Sequence, residues 1–203
     1  MQGEPEVAVL RLGHRPGRDE RMTTHVGLTA RALGADRAIL AGEAGKSRET
    51  VADITDRFGG PFAVELTDSP KAVLRDWEGK VVHLTMYGER VQDVEAEIRA
   101  AHRGEDAASE EADKESDAEP GESGVDGHPI LIVVGSQKVS FDVYEAADWN
   151  VGVTNQPHSE VAGLAVFLDR LFEGRELDRE WTDADRRVVP EPTGKTVVPV
   201  DEE

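Results

Sequence analysis

The 203-residue chain has no cysteine, which excludes disulfides, thiolate-bound metal and cysteine nucleophiles. Aromatic residues make up only 5%, and hydrophobic residues 38%, below the share usual for globular proteins. No run approaches the roughly 20 apolar residues that a membrane helix needs. The opening residues Met1-Gln2-Gly3-Glu4-Pro5 lack a basic stretch followed by an apolar one, so no secretory signal is expected and the cytoplasm is the expected location. Two phosphate-binding signatures are also missing, the G-x-G-x-x-G fingerprint and the G-x-x-x-x-G-K-[ST] loop. His14, His25, His83 and His158 fall on separate segments without i, i+4 pairing, so no metal site is expected.

Acid is what the chain has in excess. Against 23 Lys and Arg stand 42 Asp and Glu, a net charge of −19. Lysine occurs only at positions 46, 71, 80, 114, 138 and 195. Few lysines and many carboxylates suit a protein from a salt-accumulating halophile. Carboxylates hold water at high salt, and their mutual repulsion is screened within about 3 Å at 1 M. Such a charge ordinarily argues against nucleic acid, which is bound through Lys and Arg. Its distribution qualifies that argument. Residues 1–37 hold Arg11, Arg15, Arg18, Arg21, Arg31 and Arg37 against five acids, leaving this segment slightly positive on a strongly acidic background.

Short β-branched runs alternate with helical stretches. Strands are expected at Val7–Leu12, Arg37–Leu40, Phe62–Leu66, Lys80–Leu84, Pro129–Val134 and Asn150–Val153. Helices are expected from Thr23 or Thr24 to Leu33, then at Ser47–Phe58, Ser69–Trp77, Val91–Ala101, Ser140–Ala147 and Ser159–Leu171. This alternation predicts an α/β fold with a mostly parallel sheet flanked by helices. One domain is expected over residues 1–171, interrupted at 104–127 by an insertion with ten acids, one lysine and a single large aliphatic residue. Such a segment cannot offset its own ordering entropy and is expected to be a flexible surface loop. Residues 172–203 read as a C-terminal extension, either a small hairpin or an arm.

Open parallel sheets place ligands at the carboxyl ends of their strands, and three such exits carry unusual residues. They are His83-Leu84-Thr85-Met86-Tyr87-Gly88, Gly135-Ser136-Gln137-Lys138-Val139, and Val153-Thr154-Asn155-Gln156-Pro157-His158-Ser159-Glu160. Gly135 alone signals no more than a turn, and Ser159 with Glu160 also reads as an ordinary helix start.

Together with Leu10-Arg11-Leu12-Gly13-His14-Arg15, Arg18-Asp19 and Thr23-Thr24-His25-Val26, these segments resemble the archaeal tRNA (cytidine-56) 2′-O-methyltransferases of the SPOUT superfamily. The resemblance runs over Val7–Leu171 apart from the acidic insertion. It implies a C-terminal trefoil knot, a homodimer, S-adenosylmethionine as cofactor and tRNA as substrate. A knot breaks the ordinary rules of chain topology, so no periodicity supplies it. The cofactor contacts it implies are Leu84, Gly135, Ser136, Gln137, Lys138, Val139, Val153, Thr154, Asn155, Gln156, Pro157, His158, Ser159 and Glu160. Related ribose methyltransferases present a catalytic arginine from the helix after the first strand. Here that slot falls near Leu28, and the role is assigned instead to Arg15 or Arg18, with phosphate contact as the alternative for both. Two other functions remain open on the sequence: a SPOUT methyltransferase acting on a base, and a non-catalytic RNA-binding dimer.

Overall fold

Strand β1 (Val7–Arg11) is buried at all five positions, as a strand covered on both faces must be. The computed structural model describes residues 4–105, 127–135 and 138–200. After β1 come α1 (Glu20–Ala32), β2 (Arg37–Ala41), α2 (Gly45–Phe58), β3 (Ala63–Thr67), α3 (Pro70–Arg75) and β4 (Lys80–Arg90). Then follow α4 (Val91–Arg103), β5 (Ile130–Val134), α5 (Phe141–Ala146), β6 (Trp149–Gly152) and α6 (Glu160–Phe172). The first six strands form one parallel sheet in the order β3-β2-β1-β5-β4-β6, the α/β architecture expected from the alternation. No helix among the described residues is long and apolar enough to cross a membrane.

Period-two alternation divides the core. Val7, Val9, Ile130 and Ile132 face a layer containing Val26 of α1, Ile98 of α4 and Leu164, Phe167 and Leu168 of α6. The residues between them, Ala8, Leu10, Leu131 and Val133, face Leu74 of α3 and Val143 of α5. The second layer is thin because α3 and α5 have six residues each.

Two boundaries differ from the sequence reading. Helix α1 starts at Glu20, before either candidate threonine cap. Asp19 sits at the N-cap position, but its carboxylate binds the backbone and guanidinium of Arg15 instead of the helix amides. Strand β4 runs on to Arg90, and its pairing with β6 breaks between Leu84 and Glu89, so residues 85–88 bulge out of the ladder. Gly88 permits the return to β6, since a Cβ there would stand 2.3 Å from the Asn150 carbonyl oxygen.

The expected insertion lies mostly outside the described residues, but both of its ends are defined. Gly104 closes α4 with φ 72°, and the His128 amide donates to the Ala101 carbonyl at 3.0 Å. The chain therefore leaves and returns at one place. Replacing residues 106–126 with a short Gly/Ser linker should leave the melting temperature within about 3 °C, because shortening a closed loop changes its entropy only slowly. A larger drop in scanning calorimetry would show that the segment packs on the domain.

Beyond α6, a 3-10 turn (Arg175–Asp178) leads to an antiparallel pair, β7 (Arg186–Val188) and β8 (Val197–Pro199), so the extension contains a small hairpin. It is anchored at the amino-terminal ends of β2 and β3. Arg179 donates to the carbonyls of Ala35 and Pro61, and Thr182 pairs with Gly60.

Candidate active site

The carboxyl ends of β4, β5 and β6 meet the start of α6 around a cavity of about 730 Å³. Leu84, Val134, Val151 and Val153 form apolar walls, while His83, Thr85, Lys138, His158 and Glu160 add polar groups. Of the residues expected from the sequence, Leu84, Gly135, Lys138, Val139, Val153, Pro157, His158 and Glu160 line this one space. Ser136 and Gln137 lie outside the described residues. Thr154, Asn155, Gln156 and Ser159 are exposed and are not part of its lining. The Asn155 amide instead donates to the carbonyls of Met86 (2.9 Å) and Gly88 (3.0 Å), fastening the loop after β6 onto the β4 bulge. Thr154 Oγ1 accepts from the Gln156 amide, and Ser159 precedes α6 without a side-chain cap bond.

His83 gives the cavity a fixed polarity. Its Nδ1 lies 2.9 Å from Asn150 Oδ1, an oxygen that only accepts, so Nδ1 carries the proton. Asn150 is held in that orientation by donating to the Tyr144 carbonyl. The Tyr144 ring meets the imidazole edge-on, and its hydroxyl lies 3.1 Å from Thr85 Oγ1. His83 Nε2 is then a buried acceptor with no protein partner. Burial pushes the imidazole below its ordinary pKa of 6.5, opposed by the Asn150 bond. His102 on α4 is lowered for the same first reason, and its Nδ1–H donates to the His128 carbonyl.

Both histidines thus bind protons more tightly in the unfolded chain. Their contribution to stability is complete above 6.5 and declines as the pH falls below it toward the folded values. The melting temperature should fall between pH 7.5 and 5.5, and His102→Gln should flatten that slope. A profile of unchanged steepness in the variant would show that acid sensitivity comes from other groups.

Arg11 was not among the site residues expected from the sequence. It is the last residue of β1, is 1% exposed, and forms an ion pair at 2.6 Å with Glu160, which lines the cavity. Arg11 Nε also donates to Thr23 Oγ1 (2.9 Å), and Thr23 Oγ1 lies 2.9 Å from His14 Nδ1. A chain of polar contacts therefore runs from the α6 start through β1 to the loop before α1. The available signal was an arginine ending an otherwise apolar strand, since a charge at such a place needs a partner.

The loop between β1 and α1 carries the two arginines expected to act in catalysis. Neither lines the cavity. Arg15 is committed to Asp19 through two parallel bonds (Nε–Oδ2 2.8 Å, Nη2–Oδ1 2.9 Å). Hydrogen bonding from Arg15 holds the Asp19 carboxyl at about 2. The Arg15 pKa is raised, chiefly by Asp19 and in smaller part by the charge of Glu160, which ties this loop electrostatically to the cavity rim. Arg18 is exposed.

A family model described as tRNA ribose 2′-O-methyltransferase, aTrm56, matches residues 58–107 and 117–198. The chain belongs to this family. A tRNA (cytidine(56)-2′-O)-methyltransferase from Natronomonas pharaonis is 69% identical to it over 203 residues, covering 100% of both chains. The enzyme of the same name from Haloarcula marismortui is 64% identical, again over 100% of each. Among solved structures, the chain is similar to the SpoU methyltransferase AviRb from Streptomyces viridochromogenes, determined with AdoMet, at a TM-score of 0.50 and 13% identity. That match covers 85% of this chain and 58% of AviRb, and it shows a shared fold.

Proposed function

We propose that the chain transfers a methyl group from S-adenosylmethionine to the ribose 2′-hydroxyl of cytidine 56 in tRNA, acting in the cytoplasm. The observation that carries this reading is the cavity itself. It opens at the strand ends where open parallel sheets hold ligands, in a chain 69% identical over its full length to a protein named for this reaction. The residues fit the cofactor. A space of about 730 Å³ is within the range of small-molecule sites, its valine and leucine walls suit an adenosine, and buried His83 Nε2 offers an unused acceptor. Leu84, Gly135, Lys138, Val139, Val153, Pro157, His158 and Glu160 would hold it, with the exposed stretch 154–156 and Ser159 as the outer rim.

When bound, S-adenosylmethionine supplies a methyl carbon already activated by its sulfonium. The protein's task is to bring the ribose oxygen in line with that carbon, exclude water and stabilise charge as the hydroxyl proton departs to solvent. Arginine remains protonated throughout the working pH range, so Arg15 or Arg18 would act by stabilising the developing alkoxide and not as a base. We also read the passage around the β4 bulge and the loop fastened to it by Asn155 as the place of the trefoil knot.

A homodimer completes the proposal. His25 and Leu28 of α1, Leu33 just past its end, and Val161 and Ala165 of α6 line a shallow, mostly apolar groove open to solvent, which a second copy would cover. Light scattering in molar KCl should return twice the monomer mass of 22.1 kDa, and a monomer there would refute the dimer.

The test of the function is mass spectrometry of nuclease-digested tRNA after incubation with the protein and methyl-labelled S-adenosylmethionine. The label should appear on the ribose of one cytidine in the T-loop. Label on a base would make the chain a base methyltransferase, and no label would leave an RNA-binding protein.

A further inference from the structure

Arginine gathers at a second place, far from the cavity. Where the C-terminal extension crosses the ends of α1 and α2, a groove of about 830 Å³ is lined by Arg31, Arg179, Arg186 and Arg187, with Trp181 and Phe58 among them. Glu180 and Asp183 line it too, so guanidinium groups outnumber carboxylates two to one in a chain of net charge −19.

These arginines are not spent on internal ion pairs. Arg31 donates to the Gly59 carbonyl, and Arg179 to the carbonyls of Ala35 and Pro61. Among the described residues none of the four forms a salt bridge. Arg31 is only 7% exposed, and its Nε has no partner. Its guanidinium carbon lies 4.3 Å from the centre of the Trp181 ring, and that of Arg179 lies 5.4 Å from it. Two like charges thus share one aromatic ring, and among the described residues no carboxylate is ion-paired to either, although the charge of Asp36 favours that of Arg179. Burial and the neighbouring Arg179 both act against the charge on Arg31. An anion entering the groove would relieve that imbalance.

The chemistry selects the anion. At the salt concentrations for which an acid-rich surface is suited, screening acts within about 3 Å, so long-range attraction is lost and recognition must come from direct contact. Planar guanidinium groups bond phosphate oxygens in pairs and stack on flat rings, and the indole adds a surface for a nucleotide. We propose that this groove is a second docking site for the tRNA substrate, gripping its sugar–phosphate backbone away from the ribose to be methylated. This rests on the reading that tRNA is the substrate. The groove lies at the amino-terminal ends of β2 and β3, whereas the cavity lies at the carboxyl-terminal ends of β4, β5 and β6. By strand rise and spacing the two are roughly 20 to 25 Å apart, so the backbone that the groove grips belongs to a part of the folded tRNA away from the loop that carries the methylated ribose.

The test uses the full chain carrying Arg186→Gln and Arg187→Gln, both exposed on β7, with folding checked by thermal melting. Fluorescence anisotropy measures the Kd of full-length tRNA and of an isolated T-arm hairpin across a KCl series. For full-length tRNA the Kd should rise at least about fivefold, and the slope of log Kd against log salt should fall by about 1 to 2, near 0.9 for each phosphate that the variant no longer neutralises. Hairpin affinity, S-adenosylmethionine affinity by calorimetry and kcat at saturating tRNA should not change. The Arg186→Lys/Arg187→Lys protein should regain the salt slope. An unchanged Kd and slope for full-length tRNA would overturn the proposal, as would an equal weakening of hairpin binding. If the unsubstituted protein binds tRNA yet transfers no methyl, the catalytic reading fails while this comparison still decides the groove.

Discussion

Glu160→Ala should destabilise the protein by about 3 kcal/mol and weaken S-adenosylmethionine binding at the same time. The reason is an asymmetry in the Arg11–Glu160 pair. The Glu160 side chain is 31% exposed and can take water in place of its partner, whereas that of Arg11 is 1% exposed and cannot. Truncating the glutamate therefore strands a buried guanidinium with Thr23 as its remaining side-chain partner. Removing both charges leaves no such orphan, so Arg11→Met combined with Glu160→Ala should recover much of the lost stability. Denaturant unfolding of the two single variants and the double variant measures the coupling. A loss below about 1 kcal/mol for Glu160→Ala, with strictly additive effects in the double variant, would show that the pair contributes little.

The largest effect on turnover is expected in the loop before α1. If Arg15 or Arg18 stabilises the developing alkoxide, its replacement by alanine should lower kcat by about 100-fold or more and leave S-adenosylmethionine affinity unchanged. The two residues are physically distinct. Arg15 is held rigid by Asp19, so it is preorganised, and Asp19→Asn should reproduce part of its loss by releasing it. Arg18 is exposed and free to meet RNA. A phosphate contact would instead raise KM for tRNA and flatten the salt dependence, with kcat intact. Normal turnover by both alanine variants at saturating tRNA would remove this loop from the chemistry.

The elements were legible because each follows from a local pattern. Ile130–Val134 is apolar at every position and became the strand between β1 and β4, and the turn-forming residues around Gly34 and Gly59-Gly60 marked real helix ends. The β4 bulge was not legible, since Thr85-Met86-Tyr87-Gly88 reads as a turn that ends a strand, and only pairing with β6 carries the strand onward. Within the site, the three strand exits were recognisable, and eight of the expected cofactor contacts share one cavity. Arg11 escaped notice because its partner lies 149 positions away, a distance at which no periodicity operates. The arginine groove escaped for a related reason: Arg31 and Arg179 belong to different ends of the chain and meet only through the extension.

That long separation also orders the protein's assembly. While the chain is being synthesised, Arg11 emerges near the beginning, and for most of elongation its guanidinium has no counter-charge to bury against. The outer edge of β4 is likewise uncovered until β6 is made. Contacts this distant in sequence form late, because the intervening chain must be closed before they contribute. Docking of α6 is thus the event that neutralises Arg11 and closes the cavity together. The protein becomes capable of holding its cofactor in the same step that finishes its core, and an unfinished chain has no means of occupying the site.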